Sequence, residues 1–354
     1  MGIDLGDVVI KQPTTLPALA GQTVAFDAWN ILYQFLSNIR QPDGTPLKDA
    51  QGRTTSHLAG CLYRTANLVE AGIKPVFVFD GEPHPLKRET LAARSARRDQ
   101  AQSDYEEALA AGDEAKAFSK AQQTSRMTSD MAQEAKDLLG MLGIPVVEAP
   151  GEGEAQAAWM CQEGLVDAAC SQDFDALLFG APRMLRHLTA TGRRKLPGKQ
   201  VWVDVAPESI DLASSLGALG LTRDQLIDVA LLVGTDFHPG IKGIGAKKAI
   251  QLIQKEGDLE SLLERLQTQE PDKAVERAIL EQHEALMDRD TVRRIFLEPA
   301  HRDDVDLSVG KPDASAVRRF MVDERAFSAD RVDAALRRYD AAAGARRQQT
   351  LMDF

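Results

Sequence analysis

Acidic residues recur at the ends of apolar, β-rich runs along this 354-residue chain. Asp27, Asp80, Glu152, Glu154, Asp173 and Asp175 follow four such runs, and Asp236, in Gly-Thr-Asp, is a seventh candidate. A single acid at a strand end usually caps a helix or closes a turn. Six at one sheet edge would repel one another by several kcal/mol in a partly desolvated cleft, so a compensating cation is required.

The types and spacing of these acids indicate which cation. No His or Cys accompanies them, and an all-oxygen ligand set selects Mg²⁺ or Mn²⁺ rather than zinc. The two-residue separation within Glu152/Glu154 and within Asp173/Asp175 points both carboxylates of each pair the same way. Two such ions about 4 Å apart activate a water and stabilise the leaving oxygen in phosphoryl displacement. We therefore expect phosphodiester hydrolysis with two Mg²⁺ per chain, Mn²⁺ being a substitute.

The elements that must position these acids are strands alternating with helices. Strands are predicted at 23–29, 74–80, 144–148, 166–172 and 184–188, with helical periodicity at 54–71 and 128–142 between them. This alternation predicts an α/β fold with a mostly parallel sheet flanked by helices, whose strand carboxyl ends meet at one edge. From about residue 205 onward the pattern predicts helices alone, at 207–218, 222–233, 245–256, 258–268, 272–288 and 329–343.

Composition and charge narrow the class of protein. The apolar fraction of 44% is ordinary for a folded chain, and no run is long enough to cross a membrane. The three cysteines have no CxxC spacing, so a disulfide framework or zinc site is not expected. We expect a cytoplasmic protein without membrane association. The net charge of −11 argues at first against a nucleic-acid partner.

Three basic islands, however, lie within this acidic chain, at 85–98, 183–199 and 238–255. A charge run is usually only a solvated surface, but these coincide with other signals. In the third island, a turn containing Gly243 and Gly245 leads into a helix beginning with Lys247 and Lys248. Exposed N–H groups at a helix start bind phosphate, and two lysines there oppose the helix dipole. We therefore expect this turn to contact a phosphate backbone. The sequence lacks a nucleotide-binding GxxxxGK[ST] motif, which favours a polymer substrate.

Five sequence blocks, in this order and spacing, resemble those of the flap endonuclease family of structure-specific 5′ nucleases, especially its archaeal members. They are FDAWN with Tyr33-Gln34-Phe35, FVFDGEPHPLKRETLAARSARR, APGEGEAQAA, SQDFDALLFG and VGTDFHPGIKGIGAKKA. The resemblance is strong from Met1 to about residue 256, looser to 340, and resumes in the tail. It implies a nuclease core with a helical arch insertion, and a helix-hairpin-helix grip on duplex DNA.

The resemblance also implies roles for individual residues. The seven acids match the family's metal-site carboxylates, Lys87 and Arg94 match the pair that stabilises the scissile phosphate, and Gly2 matches a residue near the site. Tyr33 matches the aromatic residue that stacks on a base beside the cleavage point. DNA contacts are further expected from Arg97, Arg98, Gly243, Gly245, Lys247 and Lys248, with a K⁺ ion at the glycine hairpin.

The chain ends in a motif similar to those that bind the sliding clamp PCNA. It consists of Gln348, Leu351 and Phe354 within residues 348–354, although such motifs usually end in two aromatics. We divide the chain into a nuclease region (1–98), an arch insertion (86–126), an internal nuclease region (127–256, with the hairpin motif at 236–256), a helical C-terminal region (257–340) and a flexible tail (341–354).

These observations predict an enzyme that cleaves 5′ flaps at the junction of single strand and duplex, in primer removal and base-excision repair. Trimming of 5′ ends and action on nicked or gapped duplex are also expected. We expect the protein to be a monomer, associated with the nucleoid of a prokaryotic, archaeal cell. Two alternatives remain open: a related 5′ exonuclease or junction nuclease, and a non-catalytic scaffold that binds DNA and the clamp. A complete set of mutually repelling carboxylates argues against the scaffold.

Overall fold

The computed structural model describes residues 3–41, 44–190, 193–195, 202–271 and 273–352. Its strands are β1 (Lys11–Pro13), β2 (Thr23–Asp27), β3 (Lys74–Phe79), β4 (Val146–Glu148), β5 (Ala168–Cys170), β6 (Arg183–Arg186), β7 (Arg193–Lys195), β8 (Trp202–Asp204) and β9 (Glu208–Asp211). Within these residues, seven strands form one sheet in the order β1-β9-β6-β5-β2-β3-β4, and β7 and β8 pair separately. Strands β2 to β6 are parallel, and β9 pairs antiparallel with β6 and β1.

Helices cover both faces of this sheet. They are α1 (Ala28–Asn38), α2 (Ser56–Ala59), α3 (Thr65–Glu70), α4 (Arg88–Ala110), α5 (Glu114–Ala121), α6 (Ser129–Met141), α7 (Gly153–Gln162), α8 (Asp175–Leu178), α9 (Leu212–Leu219), α10 (Arg223–Val233), α11 (Ala246–Glu256), α12 (Leu259–Thr268), α13 (Ala274–Glu281), α14 (Arg289–Leu297), α15 (Ala314–Arg318) and α16 (Ala329–Met352). Short 3₁₀ segments lie at Pro17–Leu19, Pro85–Lys87, Gln122–Thr124 and His283–Leu286. No helix among the described residues is long and apolar enough to span a bilayer.

Alternate residues of the central strands bury against two different cores. Ala25, Val76 and Val78 face one core, to which α7, α8, α10 and α11 contribute. Val24, Phe26 and Phe77 face the other, built largely from α1, α3, α6 and α16. Because both faces of a parallel strand are covered, its sequence is apolar throughout, which is why these runs were recognisable.

The predicted strands and the α/β class are confirmed, but two helical predictions need correction. Residues 207–218 do not form one helix: Glu208–Asp211 is strand β9, and the helix begins at Leu212. This short segment gains its backbone partners from β6 and β1, which local sequence does not reveal. The predicted helix at 272–288 is divided into α13 and a 3₁₀ turn, and α14 follows it unpredicted.

The insertion at 86–126 is helical, as predicted. Helix α4 carries few apolar residues and α5 returns alongside it, with Lys120 paired to Asp104 at 2.6 Å. The returning arm touches the nuclease core, because Arg40 on the core donates a hydrogen bond to the hydroxyl of Ser125. The insertion is thus a helical arch resting on the core at both of its ends.

The C-terminal helix returns to the N-terminal half of the chain. Val332, Leu336 and Tyr339 of α16 are buried in the second core, and the Tyr339 hydroxyl donates to the carbonyls of Leu62 and Cys61 at 3.0 and 3.3 Å. The helix continues to Met352, past residue 340 where the sequence predicts the flexible tail. Alanine, arginine and glutamine dominate residues 341–349, and their high helix propensity explains the helical backbone there.

The predicted helix at 54–71 is interrupted by a π-helical segment at Gly60–Arg64. Gly60 lies so close to the buried ring of Phe35 that an added Cβ would fall 2.1 Å from two ring carbons. The absence of a side chain at this position therefore lets α1 pack against the interrupted helix.

We expect Gly60→Ala to lower the free energy of unfolding by about 1–3 kcal/mol, because the buried ring has to move. The matched control is Gly217→Ala in α9, where nothing lies within 4 Å of the added Cβ. That variant should gain about 0.5–1 kcal/mol, since alanine restricts the unfolded chain. Chemical denaturation measures both, and a Gly60→Ala variant as stable as the parent would contradict the packing described.

Candidate active site

The sheet edge at the carboxyl ends of β2 and β5 is the point where the strand order reverses. Asp27 ends β2 and caps α1, accepting a hydrogen bond from the N–H of Asn30 at 3.1 Å. The side-chain amide of Asn30 then donates to Asp173, after β5, at 3.3 Å, and its oxygen accepts from the N–H of Gln172 at 3.2 Å. Asn30 thus joins the two acidic strand ends across the crevice where open α/β sheets bind ligands.

The adjoining strands β3 and β4 bring three more acids to this edge. Asp80 follows β3 and accepts the N–H of Gly153 at 2.7 Å, and a Cβ on Gly153 would lie only 2.7 Å from the same oxygen. Glu152 and Glu154 lie at the start of α7, so the Asp80 bond fixes the helix that carries them. One Glu154 carboxylate oxygen is buried and has no hydrogen-bond partner in the described part of the chain.

Asp175 and Asp236 complete the set from two further elements. Asp175 begins α8, is 5% exposed, and accepts the main-chain N–H of Ile3 at 3.0 Å. Asp236 is 6% exposed and lies in the turn between α10 and α11. The structure therefore brings all seven sequence-predicted acids to one edge of the sheet.

Burial and mutual repulsion raise the pKa of several of these acids. Burial raises the pKa of Asp80 to about 6, with Glu152 adding to the effect. Burial, with Asp236 and Asp173 as neighbours, raises that of Asp175 to about 7. The pKa values of Asp27 and Glu154 lie well above normal, and that of Asp173 is also raised, each chiefly because of burial. The edge therefore holds more negative charge than its surroundings stabilise.

Two cationic side chains from the base of the arch partly compensate this charge. Lys87 is ion-paired with Glu152, and its Nζ lies 3.8 Å from Asp236. The Arg94 guanidinium contacts both oxygens of Asp236 at 2.6 Å. Burial alone would raise the pKa of Asp236, but the nearby positive charges, that of Arg94 first and that of Lys87 among the others, together hold this pKa below normal. Burial would likewise lower the pKa of Lys87, but Glu152 raises it above normal.

The donor set fits a hard divalent cation. It consists of carboxylate oxygens alone, and it includes the buried oxygen of Glu154, which accepts no hydrogen bond from the described residues. Among the described residues, no three acidic, His or Cys side chains converge closely enough to hold an ion as they stand. In this arrangement Glu152 is paired with Lys87 and Asp236 with Arg94.

The residues predicted to contact DNA lie in two places. Tyr33 is on α1 beside the acidic edge, and the Arg98 guanidinium from the arch lies 5.2 Å from its ring centroid. Arg97 is exposed on α4, the arch helix that also carries Arg98.

The glycine turn is the second place. Gly243 has a φ of +94° and Gly245 precedes the first residue of α11. Lys247 and Lys248 are exposed in the first turn, with Lys248 3.1 Å from the Gly243 carbonyl. Gly2 and Phe354 lie outside the described residues, as do the side chains of Gln348 and Leu351.

Sequence reasoning missed two residues that shape the site. Asn30 was visible only as the end of FDAWN, and its link between Asp27 and Asp173 depends on two strands becoming neighbours. Arg186 was counted only within a basic island, yet its charge lowers the pKa of Asp173 against the effect of burial, and its guanidinium lies 4.3 Å from the Phe174 ring centroid. Its place on β6, next to β5, is the signal that could have identified it.

Comparison with known proteins agrees with this geometry. Two family models match the chain, the XPG N-terminal domain over residues 5–101 and the XPG I-region over residues 143–236. The chain is 46% identical over 344 residues to flap endonuclease 1 of Methanococcoides burtonii, which is 97% of each chain.

Solved structures give the same picture. Flap endonuclease-1 from Methanococcus jannaschii matches with a TM-score of 0.74 and 37% identity, covering 98% of this chain and 100% of that one. The catalytic core of Rad2 in complex with DNA substrate matches with a TM-score of 0.69 and 27% identity, covering 96% and 100%. The chain therefore belongs to the flap endonuclease family and is a structure-specific 5′ nuclease that hydrolyses phosphodiester bonds.

Proposed function

We propose that the chain cleaves 5′ flaps at the junction of single strand and duplex, leaving 5′-phosphate and 3′-hydroxyl ends. The observation that carries this is the convergence of seven carboxylates at the strand-order reversal, with Lys87 and Arg94 of the arch directed into them. Such a site binds a phosphodiester where a divalent ion and a positively charged helix face meet.

The seven carboxylates would hold two Mg²⁺ or Mn²⁺ ions, directly or through waters. When bound, these ions activate a water and stabilise the leaving oxygen. Lys87 and Arg94 exchange their acidic partners for the scissile phosphate and offset the charge that develops on it. Asn30 keeps Asp27 and Asp173 in register across the crevice, and the Gly153 N–H orients Asp80.

Substrate selection comes from contacts outside the acidic edge. The single-stranded 5′ end passes through the arch, and Tyr33 stacks on the base beside the cleavage point, with Arg97 and Arg98 contacting phosphates. Gly243 and Gly245 allow the duplex backbone to approach Lys247 and Lys248, and this hairpin would hold a K⁺ ion. These contacts read backbone shape rather than base sequence.

The remaining proposals rest on sequence. Residues 348–354 bind the sliding clamp PCNA, and the enzyme acts as a monomer associated with the nucleoid of an archaeal cytoplasm. Its roles are primer removal and base-excision repair, and it also has 5′–3′ exonuclease activity on nicked or gapped duplex.

The test is cleavage of an end-labelled double-flap DNA in Mg²⁺ by the parent chain and Asp173→Ala. We expect the variant to lose at least about a hundredfold in single-turnover rate, because it removes a charged metal ligand at the site of reaction. Binding of the same DNA, measured in Ca²⁺, should survive. The matched control is Asp304→Ala, since the Asp304 side chain is 93% exposed and remote in sequence from the acidic edge.

Each other outcome selects a different function. Cleavage by Asp173→Ala at the parental rate would contradict the metal-site assignment. Binding without cleavage by the parent chain in both Mg²⁺ and Mn²⁺ would favour the scaffold. Stepwise trimming of blunt 5′ ends without cleavage at the junction would favour an exonuclease relative.

Metal removal should expose the repulsion within the site. In the folded protein the pKa of Asp175 is about 7, above its ordinary value of 3.8, so the folded state binds the proton more tightly. Stability without metal therefore falls as pH rises from about 4 to about 7 and stays low above that range. Asp175→Asn removes this cost, and its oxygen can still accept the Ile3 N–H.

In EDTA at pH 8 we expect Asp175→Asn to have a higher melting temperature than the parent chain. Its free energy of unfolding should be larger by a few kcal/mol, because each unit of pKa shift corresponds to about 1.4 kcal/mol. The advantage should vanish near pH 4 and reverse in saturating Mg²⁺, which stabilises only the parent. Thermal melts from pH 4 to 8 measure this, with Asp304→Asn as a control that should barely change. A lower melting temperature for Asp175→Asn in EDTA at pH 8 would refute the electrostatic description.

A further inference from the structure

The side chain of Thr90 makes an unusual bond for a helical threonine. Its hydroxyl oxygen lies 2.9 Å from the main-chain carbonyl oxygen of Asp236, to which it donates a hydrogen bond. A helical threonine more often bonds a carbonyl three or four residues earlier in its own helix. Here the first turn of α4 is instead tied to a segment 146 residues away in the sequence.

Thr90 lies between the two cations on one face of the arch. Lys87, Thr90 and Arg94 are three and four residues apart, so they lie one above another along the helix. All three contact the same dipeptide: the Lys87 Nζ is 5.0 Å from the Phe237 ring centroid, and Arg94 contacts the Asp236 carboxylate at 2.6 Å. The base of the arch therefore contacts the core through the Asp236-Phe237 pair.

The turn that contains Asp236 is closely packed. The N–H of Thr235 donates to the His238 carbonyl at 2.8 Å, and the Phe237 N–H donates to the Thr235 hydroxyl at 3.1 Å. A Cβ on Gly240 would lie 2.4 Å from the backbone of Gly234, so the two ends of the turn are in close contact. A hydrogen bond to the Asp236 carbonyl consequently ties the first turn of α4 to a closely packed turn.

The three contacts differ in what can replace them. Lys87 and Arg94 are held by carboxylates. A divalent cation competes for the carboxylate of each pair, and a phosphate competes for the Lys or Arg side chain. Thr90 is neutral and donates to a main-chain carbonyl oxygen, for which a phosphate does not compete. Transfer of the two cations from their acids to a substrate phosphate therefore does not require the Thr90 bond to break.

We propose that Thr90 is a positioning residue, which keeps the first turn of α4 on the Asp236 turn while Lys87 and Arg94 transfer to the scissile phosphate. This rests on the role proposed above for those two cations. In this proposal Thr90 does not touch the substrate. It fixes the backbone from which the Lys87 and Arg94 side chains extend. Its loss should therefore affect the rate of the bound complex rather than the binding of DNA.

The variants that test this are Thr90→Val and Thr90→Ser. Valine keeps the shape and β-branching of threonine but removes the hydroxyl, whereas serine keeps the hydroxyl. The control is Ser103→Ala, because the Ser103 hydroxyl donates to the Asp99 carbonyl at 3.4 Å within the same helix. Single-turnover cleavage of a double-flap DNA in Mg²⁺ gives the rate, and binding of that DNA in Ca²⁺ gives the affinity.

We expect Thr90→Val to cleave roughly three- to tenfold more slowly, as one neutral hydrogen bond allows. Its dissociation constant should stay within about twofold of the parent value, and Thr90→Ser and Ser103→Ala should keep the parental rate. Hydrogen exchange at residues 88–98 in the DNA complex should be faster in Thr90→Val alone.

A parental rate for Thr90→Val, an equal loss in Thr90→Ser, or a loss confined to DNA affinity would each overturn the proposal. Arg94→Gln, measured alongside, separates the two levels of inference. If Arg94→Gln cleaves slowly and Thr90→Val does not, only the positioning role fails. If Arg94→Gln cleaves at the parental rate, the role proposed for Arg94 fails instead.

Discussion

Repulsion among seven carboxylates at one sheet edge is the constraint on which the rest of the molecule depends. The strand order places Asp27 and Asp173 on either side of the reversal point, and neighbouring strands and helices add the others. Asn30, the Gly153 N–H and the Ile3 N–H hold individual acids in place, but none of these groups carries a charge. Cations are needed to balance the edge, and the chain itself provides Lys87 and Arg94.

The position of the arch follows from the same electrostatic need. An insertion with few apolar residues has little reason to pack on the core through hydrophobic contact. Its base is held by charge, by the Thr90 bond to the Asp236 turn and by Leu86, which packs against the first core. Its returning arm is held by the bond between Arg40 and Ser125 and by the Phe118 ring, which lies close to Gly44. Charge pairs are exchangeable, so one helix can stay folded over the site and still give up its cations to a substrate.

Much of this could be predicted from sequence because the informative signals are local. A buried parallel strand is a continuous apolar run, and the acid that ends it lies at the carboxyl edge whatever the strand order. Six of the acids could therefore be predicted from the strand ends, and Asp236 from its Gly-Thr-Asp motif. Strand β9 could not be, because its four residues depend on partners in β1 and β6. The roles of Thr90 and Arg186 could not be predicted for a similar reason, because their contacts form only when separate elements become neighbours.

The measurement that tests this account most directly is crystallography of the chain soaked in Mn²⁺, with anomalous scattering used to locate the ions. We expect two peaks at the edge formed by Asp27, Asp80 and Asp173 with their neighbouring acids. Lys87 and Arg94 should then no longer pair with Glu152 and Asp236. Absence of manganese from this edge, with both ion pairs intact, would show that the arch cations alone satisfy the carboxylates and would contradict the account.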